Sequence, residues 1–362
     1  MSNTMKAWQI KGFGSGLQLK EVPKPEVRPG SVLVRIEASS LMSYLKEYVE
    51  GKLPTYLPPK GWFTPGGNGY GVIEAVGPDV WHLKPGQRVI LSSHLVSGEN
   101  VPEKGQILIG VTHFGGIGEQ MQADWADGTL AEYALFPVMA VTPVEGLDNI
   151  APEQFAVFSR CVVPYGGLVR GRLAAGETVV VTGATGAYGT AAVLVALAMG
   201  AGKVIAAGRN TTSLEVLAKT AGNRVATVAL SGDVRKDSEA LREAAGGGAD
   251  MAFDMIGQAG DPNATLAALG SLRQRGRLVL MGSMTSPLPV NYMQMMFNSL
   301  EIIGHFMYDA DAHFKLLNLL RSGQLDMSPI AAKVYPLKDL PEAMEAAEAA
   351  SNLECVVIRH DM

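Results

Sequence analysis

VVVTGATGAYG, residues 179–189, joins a β-branched run to three glycines, Gly183, Gly186 and Gly189. The valines and their neighbours (ETVVVTG) read as a buried strand, and GTAAVLVALAMGA reads as a helix. A turn without Cβ atoms lets the backbone bend sharply and lets an anionic group come close. Amides at the start of the helix, helped by its dipole, can then hold phosphate. Strand before and helix after are the context that gives such a glycine pattern its meaning. Gly183, Gly186, Ala187, Tyr188 and Gly189 are therefore expected to hold the pyrophosphate of a dinucleotide.

The alternation continues outward. KVIAAGR, VATVAL, ADMAFDMIG and GRLVLMGS read as strands, and TSLEVLAKTAG and SEALREAAG read as helices between them. Such a pattern implies a doubly wound parallel sheet with helices on both faces, an α/β fold of the Rossmann type. The second strand ends in Gly208, Arg209 and Asn210, roughly 20 residues past the last glycine, where the adenosine ribose is met. An acidic residue there would select NAD. Arginine instead grips a 2′-phosphate in fork geometry. Opposite charges about 4 Å apart gain about 4 kcal/mol at an effective dielectric near 20. NADP(H) is the expected cofactor. Strand ends at Gly257 and at Gly282–Ser283 are expected to complete its site.

The first 150 residues differ in texture. SVLVRIEAS, YGVIEAVG, QRVILSS and LAEYALFP are short strand-like runs between Pro-Gly pairs, as in a barrel or sandwich. Residues 92–127 form a long polar, glycine-rich insert with little periodicity, expected to be a functional or mobile loop. The 362 residues are 47% hydrophobic and 18% charged, with net charge −5. Ample core material is present, and no basic face for nucleic acid. Two distant cysteines give no disulfide framework. The N-terminus has no apolar signal core, and the longest apolar stretch is too short to span a bilayer. No nucleic-acid or membrane partner is expected, and a cytoplasmic location is.

MKAWQI, PGSVLVRIEAS, GNGYGVIEAVG, KPGQRV, GTLAEYALFP, the glycine turn and RGRLVLMGS occur in the order found in the medium-chain dehydrogenase/reductase superfamily, which the chain resembles over nearly its whole length. The resemblance implies a GroES-like β-barrel domain over residues 1–160, completed by 309–362, and a Rossmann domain over 161–308. Nicotinamide and substrate would share the cleft between them. It also implies a homodimer joined through an edge strand at LEIIGHFMY.

Zinc-dependent members carry a Cys where Met42 stands and a His where Gly67 stands, and Cys161 falls about two residues from the third ligand position. Catalytic zinc takes three protein ligands and an open position. No metal is therefore expected. Without zinc, the resemblance points to quinone oxidoreductases and enone reductases. Hydride would pass to a quinone or α,β-unsaturated carbonyl, and a small apolar carbonyl or quinone would be the substrate. The alternative is a zinc-free carbonyl reductase or alcohol dehydrogenase, or another NADPH-dependent biosynthetic reductase on the same fold.

Tyr44 and Tyr48 are the candidate catalytic donors to the developing enolate oxygen, since tyrosine is protonated near neutral pH. Barrel packing is the competing reading of the same side chains. Met42, Tyr56 and Trp62 are expected in the substrate pocket, with Tyr292 and Met296 on its far wall or, at that spacing, in a core or dimer interface.

Overall fold

The computed structural model describes residues 3–362. They form two units, one of residues 3–159, 332–350 and 355–362 and one of residues 160–331 and 351–354.

The first unit opens with the hairpin β1 (Thr4–Gln9) and β2 (Gln18–Pro23). β3 (Ser31–Ser40) follows; its alternate residues Val32, Val34 and Ile36 face one core. After the short helix α1 (Leu45–Val49) come β4 (Gly69–Val76) and β5 (Arg88–Leu91). Next are β6 (His94–Val96), β7 (Gln106–Leu108), β8 (Thr112–His113) and helix α2 (Ile117–Asp124). β9 (Tyr133–Pro137) and β10 (Val141–Pro143) complete the antiparallel set. β3 is the hub, pairing β4, β9 and the late strand β18 described below.

The insert expected as an aperiodic loop is instead ordered. β6, β7 and β8 form their own three-stranded sheet. Leu95, Ile107 and Ile109 are buried in the core that also holds Phe136, and Met121 and Trp125 pack on it. Its strands are only two or three residues long, too short for a period to register in sequence.

Helix α3 (Pro152–Arg170) leads to the second unit. β11 (Thr178–Thr182), α4 (Ala187–Ala198), β12 (Lys203–Gly208), α5 (Thr211–Ala221), β13 (Val225–Ala229) and α6 (Val234–Ala244) alternate as expected. β14 (Ala249–Asp254), α7 (Asn263–Gly270), β15 (Leu272–Leu280), α8 (Tyr292–Asn298) and β16 (Glu301–Gly304) follow. The six strands are parallel in the order β13-β12-β11-β14-β15-β16. β11 thus sits mid-sheet, at the switch in strand order where ligands bind beyond the strand ends.

Helix α9 (Ala312–Arg321) belongs to this unit, a correction to the boundary at residue 309. The reason is a close approach: Gly166 of α3 lies where any Cβ would come within 2.7 Å of the Tyr308 side chain, so the chain entering α9 is pressed onto α3. Only β17 (Ala331–Pro336), α10 (Leu340–Ala349) and β18 (Glu354–Arg359) serve the barrel. Trp8 Nε1 donates to the Leu337 carbonyl at 2.7 Å, and Leu41 N–H donates to Val356 O at 2.9 Å.

Candidate functional site

The three glycines of the turn are unequal. Gly183 has φ +68°, the left-handed region, and a Cβ there would come 2.9 Å from Met255 O. A Cβ on Gly189 would stand 2.0 Å from Gly183 O, so residue 189 must be glycine for the turn to fold back on its helix. Gly186, the N-cap of α4, has the backbone of an ordinary residue, and its Cβ would meet only Gly183 O at 3.3 Å. Two glycines shape the turn, and the third leaves its outer side bare. Thr190 N–H to Gly186 O, 2.8 Å, is where the helical ladder starts. Ala187, Tyr188 and Gly189 therefore lie in the first turn, whose amides an anion can use.

The end of β12 touches the same turn. A Cβ on Gly208 would lie 3.0 Å from Thr185 Cγ2. Arg209 is exposed and forms no ion pair among the described residues. Asn210 caps α5, its Oδ1 accepting from Ser213 N–H at 3.0 Å. That bond fixes the start of the helix and keeps the Asn210 carbonyl oxygen occupied. Gly257, Gly282 and Ser283 are exposed at the ends of β14 and β15. They interlock: Ser283 N–H donates to Ile256 O (3.0 Å), and Gln258 N–H donates to Ser283 Oγ (2.9 Å). A Cβ on Gly282 would meet Ile256 O at 2.4 Å, which explains the glycine. All eleven expected cofactor residues thus lie at the C-terminal ends of strands or the helix start that follows.

Two aspartates passed over in the sequence also shape this rim. Asp254 is 2% exposed and Asp237 is 3% exposed, and each accepts hydrogen bonds from the turns around it. The only hint in the sequence is Thr182, a polar residue in an otherwise apolar strand, placed directly before Gly183.

In the barrel unit the two candidate tyrosines separate. Tyr48 is fully buried, and its hydroxyl donates to Val111 O at 2.6 Å. Burial pushes the hydroxyl far above the usual phenol range. The expectation of a catalytic Tyr48 is corrected here: the hydroxyl is spent inside the core, beside Phe13 at 5.0 Å between ring centroids. Tyr44 is only half-buried, at the N-cap of α1. Its ring lies 6.0 Å from Tyr56, whose own ring lies 5.8 Å from Tyr48. Burial raises the Tyr56 hydroxyl, and a hydrogen bond with Tyr44 partly offsets the shift. Met42 packs beside them on the same core.

Trp62 stands apart, 41% exposed, with Lys20 Nζ 2.7 Å from its ring centroid. Tyr292 and Met296 are 76% and 50% exposed on α8, a helix with no buried residue. They are surface groups of the second unit, so the expectation of a core position there is corrected. A surface pocket of the barrel lined by Thr4, Lys24, Arg35, Glu132, Tyr133 and His360 shares none of the expected residues, and both of its long cations are ion-paired.

The donor set for zinc does not fit. Among the described residues no three His, Cys, Asp or Glu side chains gather where they could hold a metal ion. A Cβ on Gly67 would lie 2.5 Å from Ser93 Cβ, so the space a ligand side chain would need at residue 67 is filled. Ser93 is fixed in turn by Asn68 Oδ1, which accepts its N–H at 2.9 Å.

Comparison with known proteins supplies the remaining finding. Residues 28–146 match the family described as alcohol dehydrogenase GroES-like domain, and residues 187–322 match zinc-binding dehydrogenase. An alcohol dehydrogenase of Geobacillus stearothermophilus is 31% identical over 310 residues, 83% of this chain and 84% of that one. An L-threonine 3-dehydrogenase of Chromobacterium violaceum is 27% identical over 353 residues, 94% and 96% of the two chains. Among solved structures, a zinc-binding dehydrogenase of Sinorhizobium meliloti bound to NADP superposes with TM-score 0.79 at 20% identity, covering 99% of this chain and 100% of that one. With a Rossmann unit, a GroES-like unit and these matches together, the chain belongs to the medium-chain dehydrogenase/reductase superfamily.

Proposed function

We propose that the protein is an NADP(H)-dependent oxidoreductase that works without zinc and reduces a quinone or α,β-unsaturated carbonyl. The observation that carries the reading is the pairing of a bare glycine turn with an exposed, unpaired Arg209 at the end of the neighbouring strand. The filled space beside Gly67 supports chemistry without a Lewis acid. Bound NADPH supplies the hydride. The chain's residues do the rest: the turn amides hold the pyrophosphate, Arg209 holds the 2′-phosphate, and Met42 and Tyr56 offer an apolar contact. The Tyr44 hydroxyl, exchanging its hydrogen bond with Tyr56 for one to the substrate, donates to the oxygen that gains charge as the conjugated carbon accepts hydride, and solvent supplies the proton that completes the reduction. Such a donor is worth about 3 kcal/mol in favourable cases. A conjugated acceptor suits this arrangement, since charge is spread before it reaches oxygen and less polarisation is needed.

A second reading follows from the relatives' names: oxidation of an alcohol, or reduction of an isolated carbonyl, on the same zinc-free scaffold. NADPH consumption with an enone, a quinone and a saturated ketone, in metal-free buffer, separates the two. Turnover of the enone or quinone alone supports the first reading, and turnover of the ketone alone supports the second. Stoichiometric zinc in the purified protein overturns both. A second copy of the chain is the expected partner. β16 is an edge strand, and Met293, Met296 and Phe297 are exposed on the preceding helix, features suited to pairing across a twofold axis.

A further inference from the structure

The two buried aspartates divide the C-terminal rim of the parallel sheet between them. Asp237, in the first turn of α6, accepts Ser231 N–H (2.9 and 3.1 Å to its two oxygens), Ser231 Oγ (2.7 Å) and Gly232 N–H (2.9 Å). Every one of these donors is in the loop after β13. That loop lies against the end of β12, because Leu230 N–H donates to Gly208 O at 2.8 Å. Asp237 therefore fixes the strip of chain beside Arg209.

Asp254 closes β14. Its Oδ1 accepts the Thr182 hydroxyl (2.9 Å) and Ile256 N–H (3.1 Å), and its Oδ2 accepts the Thr265 hydroxyl (2.9 Å). Thr182 precedes Gly183. Ile256 precedes Gly257 and accepts Ser283 N–H. One carboxylate thus ties the glycine turn to both turns on the other side of it. Among the described residues no hydrogen bond links the Asp237 set to the Asp254 set directly; from α7, Asn263 Nδ2 donates to Gly232 O at 3.2 Å.

We infer that Asp237 and Asp254 are positioning residues for opposite halves of the dinucleotide: Asp237 for the adenosine 2′-phosphate end, Asp254 for the pyrophosphate and nicotinamide end. The inference rests on the NADP(H) reading above and adds a division of labour to it. A buried carboxylate with three donors leaves those donors unsatisfied when it is removed, and the loops they belong to shift locally.

The test uses the two halves of the cofactor, adenosine 2′-phosphate and nicotinamide mononucleotide, titrated by saturation-transfer NMR, with NADPH titrated by calorimetry. Asp237→Asn is expected to weaken adenosine 2′-phosphate about tenfold and to leave nicotinamide mononucleotide within twofold. Thr182→Val, which removes one donor from Asp254 at nearly constant volume, is expected to do the reverse. Both should weaken NADPH. Ser231→Ala and Thr265→Val are the milder variants, expected to repeat the same crossed pattern at smaller size if the first pair folds poorly. A general loss of structure would weaken both halves in every variant, and that uniform result overturns the inference while leaving NADPH binding by the unaltered protein intact. Failure of the unaltered protein to bind NADPH overturns the cofactor reading and this inference with it.

Discussion

The cofactor rim and the tyrosine cluster of the barrel are built by opposite means. The rim is backbone: glycines where a Cβ would collide, strand ends, and amides at a helix start. The cluster is side chain: Tyr56 stands within ring-contact distance of both Tyr44 and Tyr48, and what each does depends on how its hydroxyl is bonded. A backbone site tolerates almost no change at its few fixed positions and much change elsewhere. A side-chain site can exchange its chemistry through one substitution without losing its fold.

The sharpest way to break that contrast is at Gly189. Gly189→Val places carbon atoms inside the van der Waals radius of Gly183 O, and NADPH binding is expected to disappear in calorimetry. Retained binding would mean that the turn is not the cradle. Next in size is the tyrosine pair. Tyr44→Phe is expected to lower kcat about a hundredfold with NADPH affinity unchanged, within the range of a lost general acid. Tyr48→Phe, by contrast, should leave kcat nearly intact and lower stability by about 1 kcal/mol in urea unfolding. Equal kinetic effects from both would erase the distinction drawn from their burial.

Acid sharpens the comparison from the second unit. His313 is 2% exposed, and burial lowers its pKa to about 4. Between pH 6.5 and about 4 the unfolded chain binds the proton that the folded His313 refuses, so the His313 contribution to stability falls as pH drops through that window and is constant below it. The loss is about 3 kcal/mol. His313→Phe, which keeps the edge-on ring contact with Tyr308 at 5.2 Å, should remove the His313 share of this slope and leave that of His360, whose burial lowers its pKa to about 3. An unchanged slope would place the acid sensitivity elsewhere. The smallest effect is at Arg209. Arg209→Ala is expected to raise the KM for NADPH about tenfold and leave that for NADH unchanged, the size of one exposed, partly screened ion pair with phosphate. A parallel rise in both would remove the basis for 2′-phosphate selection.

What sequence disclosed follows from the same contrast. Alternating strands and helices repeat over residues 177–304, so the parallel sheet, its glycine turn and the strand-end glycines were legible, because a backbone site leaves its mark in residue type. Asp237 and Asp254 were not, since a carboxylate on a strand or helix looks like any surface charge until its donors are in place. Tyr44 and Tyr48 were indistinguishable as letters; one at the N-cap of a short helix and the other inside it, they differ in what covers them. The insert was misread because its sheet is held by Leu95, Ile107 and Ile109 reaching into a core assembled from distant strands. Residues 309–331 were placed with the wrong unit for a similar reason: helix α9 is held by the close approach at Gly166, which no local pattern announces.

That insert is closed by aliphatic packing and by the Arg28 guanidinium, centred 4.2 Å from the Trp125 ring centroid, and it contains no cysteine. Its cohesion therefore draws on no disulfide, and its one sulfur is the Met121 thioether packed on the core. A reducing milieu would leave this lobe folded, whereas oxidation of Met121 to the sulfoxide would set a polar group against the core on which the barrel strands lean.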